Sequence, residues 1–174
     1  MLLPLQHSPS LDVNKCVPRF DHHCPWVGNT IGYKNHPMFL AYTASVFTCL
    51  LTALRTEWWF LTDRLRHNGH WAAGSFYAYP WVDVSFVICV FYTLFTLALF
   101  GSQAYTTVMC NLTTNENMNR NRYPHFIDPA TGMQRKTHPF DRGAVANIRM
   151  FFHLTAADEA MCLQCDEPEA EMAA

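Results

Sequence analysis

The sequence of 174 residues is apolar and weakly charged, with 50% hydrophobic, 14% aromatic and 15% charged residues. This length allows about one domain, and the composition is more aromatic and less charged than that of a typical soluble one. A formal net charge of -2 lacks the basic excess of nucleic-acid-binding proteins, so we expect no nucleic-acid partner. The seven cysteines lack the spacing of a small secreted domain, which favours reduced thiols over a disulfide framework.

Residues 1–15 are predicted to form an irregular leader. The chain begins with the apolar run Met1–Leu5, which contains Pro4 and is followed by Pro9. These prolines interrupt the segment before an apolar core of signal-peptide length develops. The pattern is typical of a poorly ordered segment.

The next segment, residues 16–37, contains Asp21-His22-His23-Cys24. A thiol beside an imidazole that takes its proton, with a carboxylate to orient the imidazole, is the arrangement of an activated nucleophile. Cys24 is then the nucleophile, His22 the base and Asp21 the group that orients it. Thiolate and imidazole are also the preferred ligands of zinc, so the residues leave open a metal-binding module of Cys16, His22, His23 and Cys24.

The flanking residues make this pattern highly specific. A Cys-x4-Asp-His-His-Cys spacing begins at Cys16, Pro-Trp-Val-Gly-Asn follows Cys24, and Gly32, Asn35 and Phe39 continue as Gly-x2-Asn-x3-Phe. The whole pattern resembles the signature of the DHHC protein S-acyltransferases, integral membrane enzymes that move a fatty acyl chain from acyl-coenzyme A to cysteines of other proteins. The resemblance implies palmitoyl-coenzyme A as the acyl donor, an acyl-Cys24 intermediate, and substrate proteins with cytosolic cysteines.

The zinc sites of that family are predicted to be incomplete here. The resemblance implies two structural zinc ions held by eight ligands, of which only Cys16 and His23 are present. Two ligands from two different sites do not complete a four-coordinate centre. We therefore expect a chain that is truncated at its N-terminus relative to the family. The other expected ligand positions hold Pro9, Ser10, Val13 and Thr30 or precede Met1.

Two apolar segments predict membrane spans. Residues 38–54 are seventeen residues without a charge, which is at the short end of a span and leaves a buried helix of a soluble protein as the alternative. Residues 84–110 are twenty-seven residues without a charge, too long for an ordinary core helix. We predict an all-α integral membrane fold with two transmembrane helices, an irregular partial cysteine-rich segment before them, and a short helical or irregular cytosolic tail after them.

The distribution of positive charge predicts the orientation. The predicted loop, residues 55–83, has three basic residues, against three before the first span and six after the second. Positive charge favours the cytosolic side, which places the Cys24 stretch in the cytosol and the loop in the lumen. Residues 117–126 resemble the ankyrin-repeat subgroup of the family, and that resemblance implies a Golgi or other endomembrane location.

The C-terminal segment, residues 111–174, contains two further patterns. Thr113-Thr114-x-Glu116 is typical of a capping box at a helix start. It also resembles the family motif that packs against the cysteine-rich domain, and this resemblance implies a contact between Thr114 and Asp21. Asn147 lies in a stretch that resembles the family's C-terminal element, which implies a scaffold residue that caps backbone near the last span.

Together these patterns predict a protein-cysteine S-palmitoyltransferase. His22 removes the proton of Cys24, the thiolate attacks the thioester of a long-chain acyl-coenzyme A, and the acyl group then passes to a substrate cysteine. The alternative hypothesis is a catalytically impaired fragment that acts as a membrane interaction protein. Covalent acylation of Cys24 separates the two.

Overall fold

The structure is a computed structural model that describes residues 7–10, 15–68, 79–135 and 141–154. The chain divides into two compact units. One comprises Met1–Phe39 together with Gln103–Ala174, and the other comprises Leu40–Ser102. The residues predicted to carry the chemistry all belong to the first unit.

Two long helices dominate the fold. Helix α1 runs from His36 to Asn68 and helix α2 from Pro80 to Gln103. Segments of 29 and 30 residues, with mean hydropathies of 1.6 and 2.2, are long and apolar enough to cross a membrane. Their side chains are mostly exposed, as expected of helices that face lipid. The predicted helical membrane fold with two spans is confirmed.

Residues 55–83, between the two predicted spans, are expected to form a loop, but the described part of this region is largely helical. Helix α1 continues through these residues as far as Asn68, and α2 already begins at Pro80. The physical reason lies in the sequence, because residues 38–68 contain no glycine or proline to end a helix, and Gly69 is the first. The charged residues of this stretch therefore belong to a helix. Residues 69–78 lie outside the described part of the chain.

Polar and aromatic pairs join α1 and α2 within the second unit. The Ser85 hydroxyl donates a hydrogen bond to the Glu57 carboxylate. The rings of Trp58 and Phe86 stack with their centroids 6.1 Å apart. Hydrogen bonds and close packing of this kind hold helices together where lipid removes the hydrophobic driving force.

In their described residues, the segments predicted to be irregular before α1 contain two short antiparallel hairpins, which corrects the prediction there; residues 1–6 and 11–14 of the predicted leader lie outside the described part of the chain. Strand β1, His7–Ser10, pairs with β2, Lys15–Pro18, and strand β3, His22–Cys24, pairs with β4, Asn29–Ile31. Pro9 is tolerated in β1 because an edge strand does not need every backbone donor. The remaining described residues before β3 have no further strand.

The chain after α2 is a series of short elements. A π-helix, Ala104–Met109, follows α2 directly, and helix α3 spans Thr114–Met118. Two 3-10 turns, Arg120–Arg122 and Pro124–Phe126, lead to an irregular stretch, and helix α4 spans Ala144–Phe151. Residues 136–140 and 155–174 of the predicted tail lie outside the described residues. The core of the first unit, to which these elements belong, combines apolar side chains such as Ile31, Leu112, Phe126 and Phe151 with many polar ones.

Candidate active site

Strand β3 explains the spacing of the Asp-His-His-Cys pattern. Successive side chains of a strand point to opposite faces, so His22 and Cys24 share one face and His23 lies on the other. The burial follows this alternation, since Cys24 is only 4% exposed whereas His23 is exposed. The strand therefore brings one imidazole to the thiol and directs the other away from it.

The hairpin turn after Cys24 fixes the end of the strand. Cys24 pairs with Asn29 in the β3–β4 register, and the Val27 N–H donates to the Cys24 carbonyl at 3.3 Å. Gly28 has a φ of 59°, in the left-handed region where glycine carries no steric penalty. The thiol thus lies at the end of a short hydrogen-bonded strand.

Asp21, His22 and Cys24 form a continuous polar chain. Nδ1 of His22 lies 2.6 Å from Oδ2 of Asp21. Cys24 lies two residues along the same strand, on the face of β3 that carries His22. Because Nδ1 faces the carboxylate, Nε2 is the nitrogen left to accept the thiol proton. The arrangement is that of a base held by a carboxylate beside a nucleophile.

The electrostatics favour an ionised carboxylate and a basic imidazole. Burial acts to raise the pKa of Asp21, but the hydrogen bond from His22, the nearby His36 and the backbone N–H of Thr114 outweigh it and lower that pKa. The hydrogen bond to Asp21 raises the pKa of His22 against the effect of burial, and the Cys24 thiol raises it further. His22 is therefore a stronger base than a free histidine.

The Asp21 carboxylate is enclosed by donors from distant parts of the chain. It is 2% exposed, and its Oδ1 accepts a hydrogen bond from the Thr114 backbone at 2.5 Å. Its Oδ2 also accepts one from Gln103 Nε2 at 3.3 Å and lies 3.8 Å from His36 Nε2. A buried charge needs such donors to replace its lost hydration.

Thr113 and Glu116 position the Thr114 backbone N–H that binds Asp21. The Thr113 hydroxyl accepts from the Glu116 N–H at 3.1 Å, and the Glu116 carboxylate accepts from the Thr113 N–H at 2.8 Å. The capping box indicated by the sequence is therefore present at the start of α3. The Thr113 hydroxyl also donates to the Phe20 carbonyl at 3.2 Å, which fixes this helix start beside Asp21.

Arg19 adds a second link between these two regions. Its guanidinium donates to the side chain and the backbone carbonyl of Asn111, at 2.7 and 2.9 Å. The same guanidinium lies 3.5 Å from the Glu116 carboxylate. The paired hydrogen bonds from Arg19 to Asn111 hold the chain just before Asp21 against the chain just before Thr113.

The residues of the Gly-x2-Asn-x3-Phe pattern contact His22 through Phe39 and order the turn before α1 through Gly32 and Asn35. Phe39 contacts the His22 ring edge-on, with centroids 5.2 Å apart. The Asn35 side chain accepts from the Gly32 N–H and donates to the Thr30 carbonyl, both at 2.9 Å. A Cβ at Gly32 would lie 2.6 Å from a Val17 methyl group, so only glycine allows this close approach.

Asn147 ties α4 to the same unit. It has no exposed surface, and its amide donates to the carbonyl of Met109 at 2.5 Å and to the Asp141 carboxylate at 2.8 Å. Its Oδ1 accepts from the Arg142 N–H at 3.0 Å. These contacts satisfy a backbone carbonyl at the end of the π-helix and make Asn147 a scaffold residue.

A family model described as DHHC palmitoyltransferase matches residues 6–121 of the chain. This chain belongs to the DHHC palmitoyltransferase family. The resemblance that the residues around Cys24 indicate is therefore confirmed. The family consists of membrane proteins, in agreement with the two apolar helices.

Three relatives illustrate how much of such proteins the chain covers. Palmitoyltransferase ZDHHC17 of Mus musculus is 35% identical over 145 residues, which are 80% of this chain and 22% of the relative. Palmitoyltransferase ZDHHC12 of Mus musculus is 34% identical over 161 residues, or 87% of this chain and 52% of the relative. Palmitoyltransferase Hip14 of Drosophila melanogaster is 32% identical over 139 residues, or 78% of this chain and 21% of the relative. The chain spans about a fifth to a half of these relatives, and the matches agree with the predicted ankyrin-repeat subgroup.

The described residues do not fit the structural zinc of the DHHC family. Within the described ranges, no three His, Cys, Asp or Glu side chains are grouped so as to hold a metal ion. His23 Nδ1 instead lies 3.1 Å from the Thr30 hydroxyl, directly across the hairpin. Cys16 lies in β2, and its side chain is outside the described part of the structure. A single ion bound by both His22 and His23 is also disfavoured, because the two side chains leave β3 on opposite faces.

The sequence does not single out three residues of this site: His36 and Gln103, which lie against Asp21, and Arg19, which binds Asn111. Arg19 lies inside the Cys-x4-Asp spacing and His36 inside Gly-x2-Asn-x3-Phe, at positions that these patterns leave unspecified. Gln103 had the clearest signal, because it is the only amide side chain in the uncharged run of residues 84–110. A strongly polar side chain in such a run needs partners inside the protein.

Proposed function

We propose that this chain carries the catalytic part of a protein-cysteine S-palmitoyltransferase. The observation that carries the proposal is the hydrogen bond between Asp21 and His22, on the strand that places the buried Cys24 thiol on the same face as His22. Membership of a palmitoyltransferase family supports it. Acyl-coenzyme A is the donor, the bilayer holds the chain, and cytosolic cysteines of substrate proteins are the acceptors.

The first half-reaction forms the acyl-enzyme. His22 Nε2 takes the proton of the Cys24 thiol, and the thiolate attacks the thioester carbonyl of the acyl-coenzyme A. The new Cys24 thioester forms as the bond to the coenzyme A sulfur breaks. His22 returns its proton to that leaving thiolate, while Asp21 remains ionised and stabilises the imidazolium.

The second half-reaction transfers the acyl group to the substrate. The substrate thiol gives its proton to His22 and attacks the carbonyl of acyl-Cys24. The bond to Cys24 breaks, and the Cys24 thiolate recovers a proton from His22. The same base therefore serves both steps, and the chain ends each cycle unchanged.

The membrane spans provide a physical reason for this architecture. Each buried CH2 group contributes about 0.8 kcal/mol, so a palmitoyl chain is held best in apolar surroundings while its thioester meets the cytosolic side. The bias of basic residues supports a cytosolic Cys24 stretch. The family subgroup supports an endomembrane, with the Golgi as the first location to examine. For zinc, we propose that Cys16 and His23 are remnants of the family's ligand sets and do not form a centre.

The test is intact-mass and peptide analysis of the purified chain in detergent after incubation with palmitoyl-coenzyme A. We expect one palmitoyl adduct on Cys24 that hydroxylamine removes, and none in Cys24→Ala. The Cys110→Ala variant is the matched control and should acylate as the wild type does. A folded chain that forms no adduct at Cys24 would contradict the proposal and favour a membrane interaction protein without turnover.

A further inference from the structure

Gln103 occupies a buried position where its amide must be fully bonded. It is the last residue of α2, is 8% exposed, and precedes the π-helix directly. A buried amide without partners costs several kcal/mol, so its hydrogen bonds determine whether the position is tolerated. π-helical turns are rare and are frequent at functional sites, which draws attention to the residue at which this one starts.

All four hydrogen-bonding capacities of the Gln103 amide are used. Its Nε2 donates to Asp21 Oδ2 at 3.3 Å and to the Thr114 hydroxyl at 2.9 Å. Its Oε1 accepts from His36 Nε2 at 3.0 Å and from the Thr107 hydroxyl at 3.2 Å. A side-chain amide has two N–H donors and two acceptor lone pairs, so none is left over.

These partners fix which end of the amide faces the carboxylate. The reversed amide would place Oε1 against the Asp21 carboxylate. That contact would be repulsive, so the donor side of Gln103 faces Asp21 and its oxygen faces His36 and Thr107. His36 thus acts on Asp21 partly through Gln103.

The Asp21 oxygen contacted by Gln103 is also the oxygen that binds His22. Oδ2 lies 2.6 Å from His22 Nδ1 and 3.3 Å from Gln103 Nε2, while Oδ1 accepts from Thr114. Three donors from three elements therefore determine the rotation of one carboxylate. Loss of the Gln103 donor frees Oδ2 to turn away from the plane of the imidazole.

We propose that Gln103 is a positioning residue of acyl transfer, which holds Asp21 Oδ2 against His22 Nδ1 so that His22 Nε2 meets the Cys24 thiol. The proposal rests on the proposed function. Gln103 does not contact the reacting atoms, and its effect passes through Asp21 and His22. It should therefore change the rate of the chemical step rather than the binding of the acyl donor.

The main variant is Gln103→Met, which keeps the length of the side chain and removes every hydrogen bond. We expect the rate of Cys24 acylation at saturating palmitoyl-coenzyme A to fall about tenfold to a hundredfold. The concentration of palmitoyl-coenzyme A that gives half the maximal rate should equal that of the wild type. Gln134→Met is the matched control, because Gln134 is an exposed glutamine away from this site, and its rate should equal that of the wild type.

Gln103→Glu keeps the shape and adds a carboxylate, so it tests the electrostatic part of the proposal. The additional negative charge favours the imidazolium form of His22, and the acid limb of the pH–rate profile should move to higher pH. A loss of folded chain alone would lower the measured rate equally at every pH, whereas a shifted limb shows that charge at position 103 reaches His22. The Gln103→Glu profile also keeps the proposal testable if Gln103→Met does not fold.

Alkylation of Cys24 by iodoacetamide, followed by peptide mass analysis over pH, separates this proposal from the proposed function. Iodoacetamide reacts with the Cys24 thiolate and needs no acyl-coenzyme A. The pH dependence of the alkylation rate therefore reports on Asp21, His22 and Cys24 even if the wild type forms no acyl adduct. We expect slower alkylation in Gln103→Met and the shifted limb in Gln103→Glu. Profiles of both variants that coincide with that of the wild type would overturn the role of Gln103. A wild type that alkylates as expected but never acylates would overturn only the proposed function.

Discussion

On one face of strand β3, His22 is held through Asp21 by residues that lie far away in the sequence. The donors to the Asp21 carboxylate include Thr114 and Gln103, which are 93 and 82 positions away. On the other face, His23 bonds Thr30, only seven positions away across the hairpin. The adjacent imidazoles of His22 and His23 therefore differ in how they are held: His22 by tertiary contacts through Asp21, and His23 by a local contact within its hairpin.

This difference separates geometry that serves proton transfer from geometry that serves local stability. The Asp21 carboxylate that holds His22 is buried and charged, so every donor to it acts in surroundings where water cannot substitute. The His23 side chain is exposed, so water can replace a lost partner of its imidazole, whereas the Thr30 side chain that it contacts is buried. We expect changes on the first face to affect the rate and changes on the second to affect mainly the hairpin.

The sharpest test compares His22→Gln with its neighbour His23→Gln. Loss of a positioned general base costs about 10²- to 10⁴-fold in rate, so His22→Gln should nearly abolish acylation of Cys24. His23→Gln is the matched control and should remain within about threefold of the wild type, as surface substitutions usually do. Single-turnover acylation followed by mass spectrometry measures both rates. Equal losses in the two variants would contradict the contrast between the faces.

Asp21→Asn should produce the next largest effect and a shift with a defined sign. The carboxylate raises the pKa of His22, so its loss lowers that pKa and moves the acid limb of the pH–rate profile to lower pH. The plateau rate should also fall about tenfold or more, because the imidazolium loses its stabilising charge. Acylation rates measured from pH 5 to 9 in wild type and variant decide the question. A limb that stays in place or moves to higher pH would show that Asp21 does not set the basicity of His22.

The part of the site that the sequence reveals is the part with local periodicity or local contacts. The capping box at Thr113 and the two apolar runs follow from short-range patterns, and each is recognisable from a few residues. The hairpins were missed because they are very short, with strands of only three or four residues. The length of α1 was underestimated because Arg55 ends the uncharged run of residues 38–54 but does not end the helix, which continues to Asn68.

The contacts around Asp21 depend on chain segments brought together only by the tertiary fold. The family resemblance implies the contact between Thr114 and Asp21, but no local pattern indicates that Gln103 meets the same carboxylate or that Arg19 reaches Asn111. The available signal was indirect, namely the cost of placing an amide such as Gln103 in an apolar helix. Such residues can be identified from sequence as needing partners, although the partners themselves cannot.

The smallest expected effect concerns the hydrogen bond between His23 and Thr30. Thr30→Val keeps the shape of the buried side chain and removes the hydroxyl, which should cost about 1 kcal/mol of stability. The thermal midpoint in detergent should therefore fall by a few degrees. Thr30→Ser keeps the hydroxyl and loses a methyl group, so the pair separates the hydrogen bond from the packing. Acylation of Cys24 by the folded fraction of Thr30→Val should match that of the wild type. A loss of rate as large as that in Asp21→Asn would mean that the His23 face, too, positions the catalytic strand.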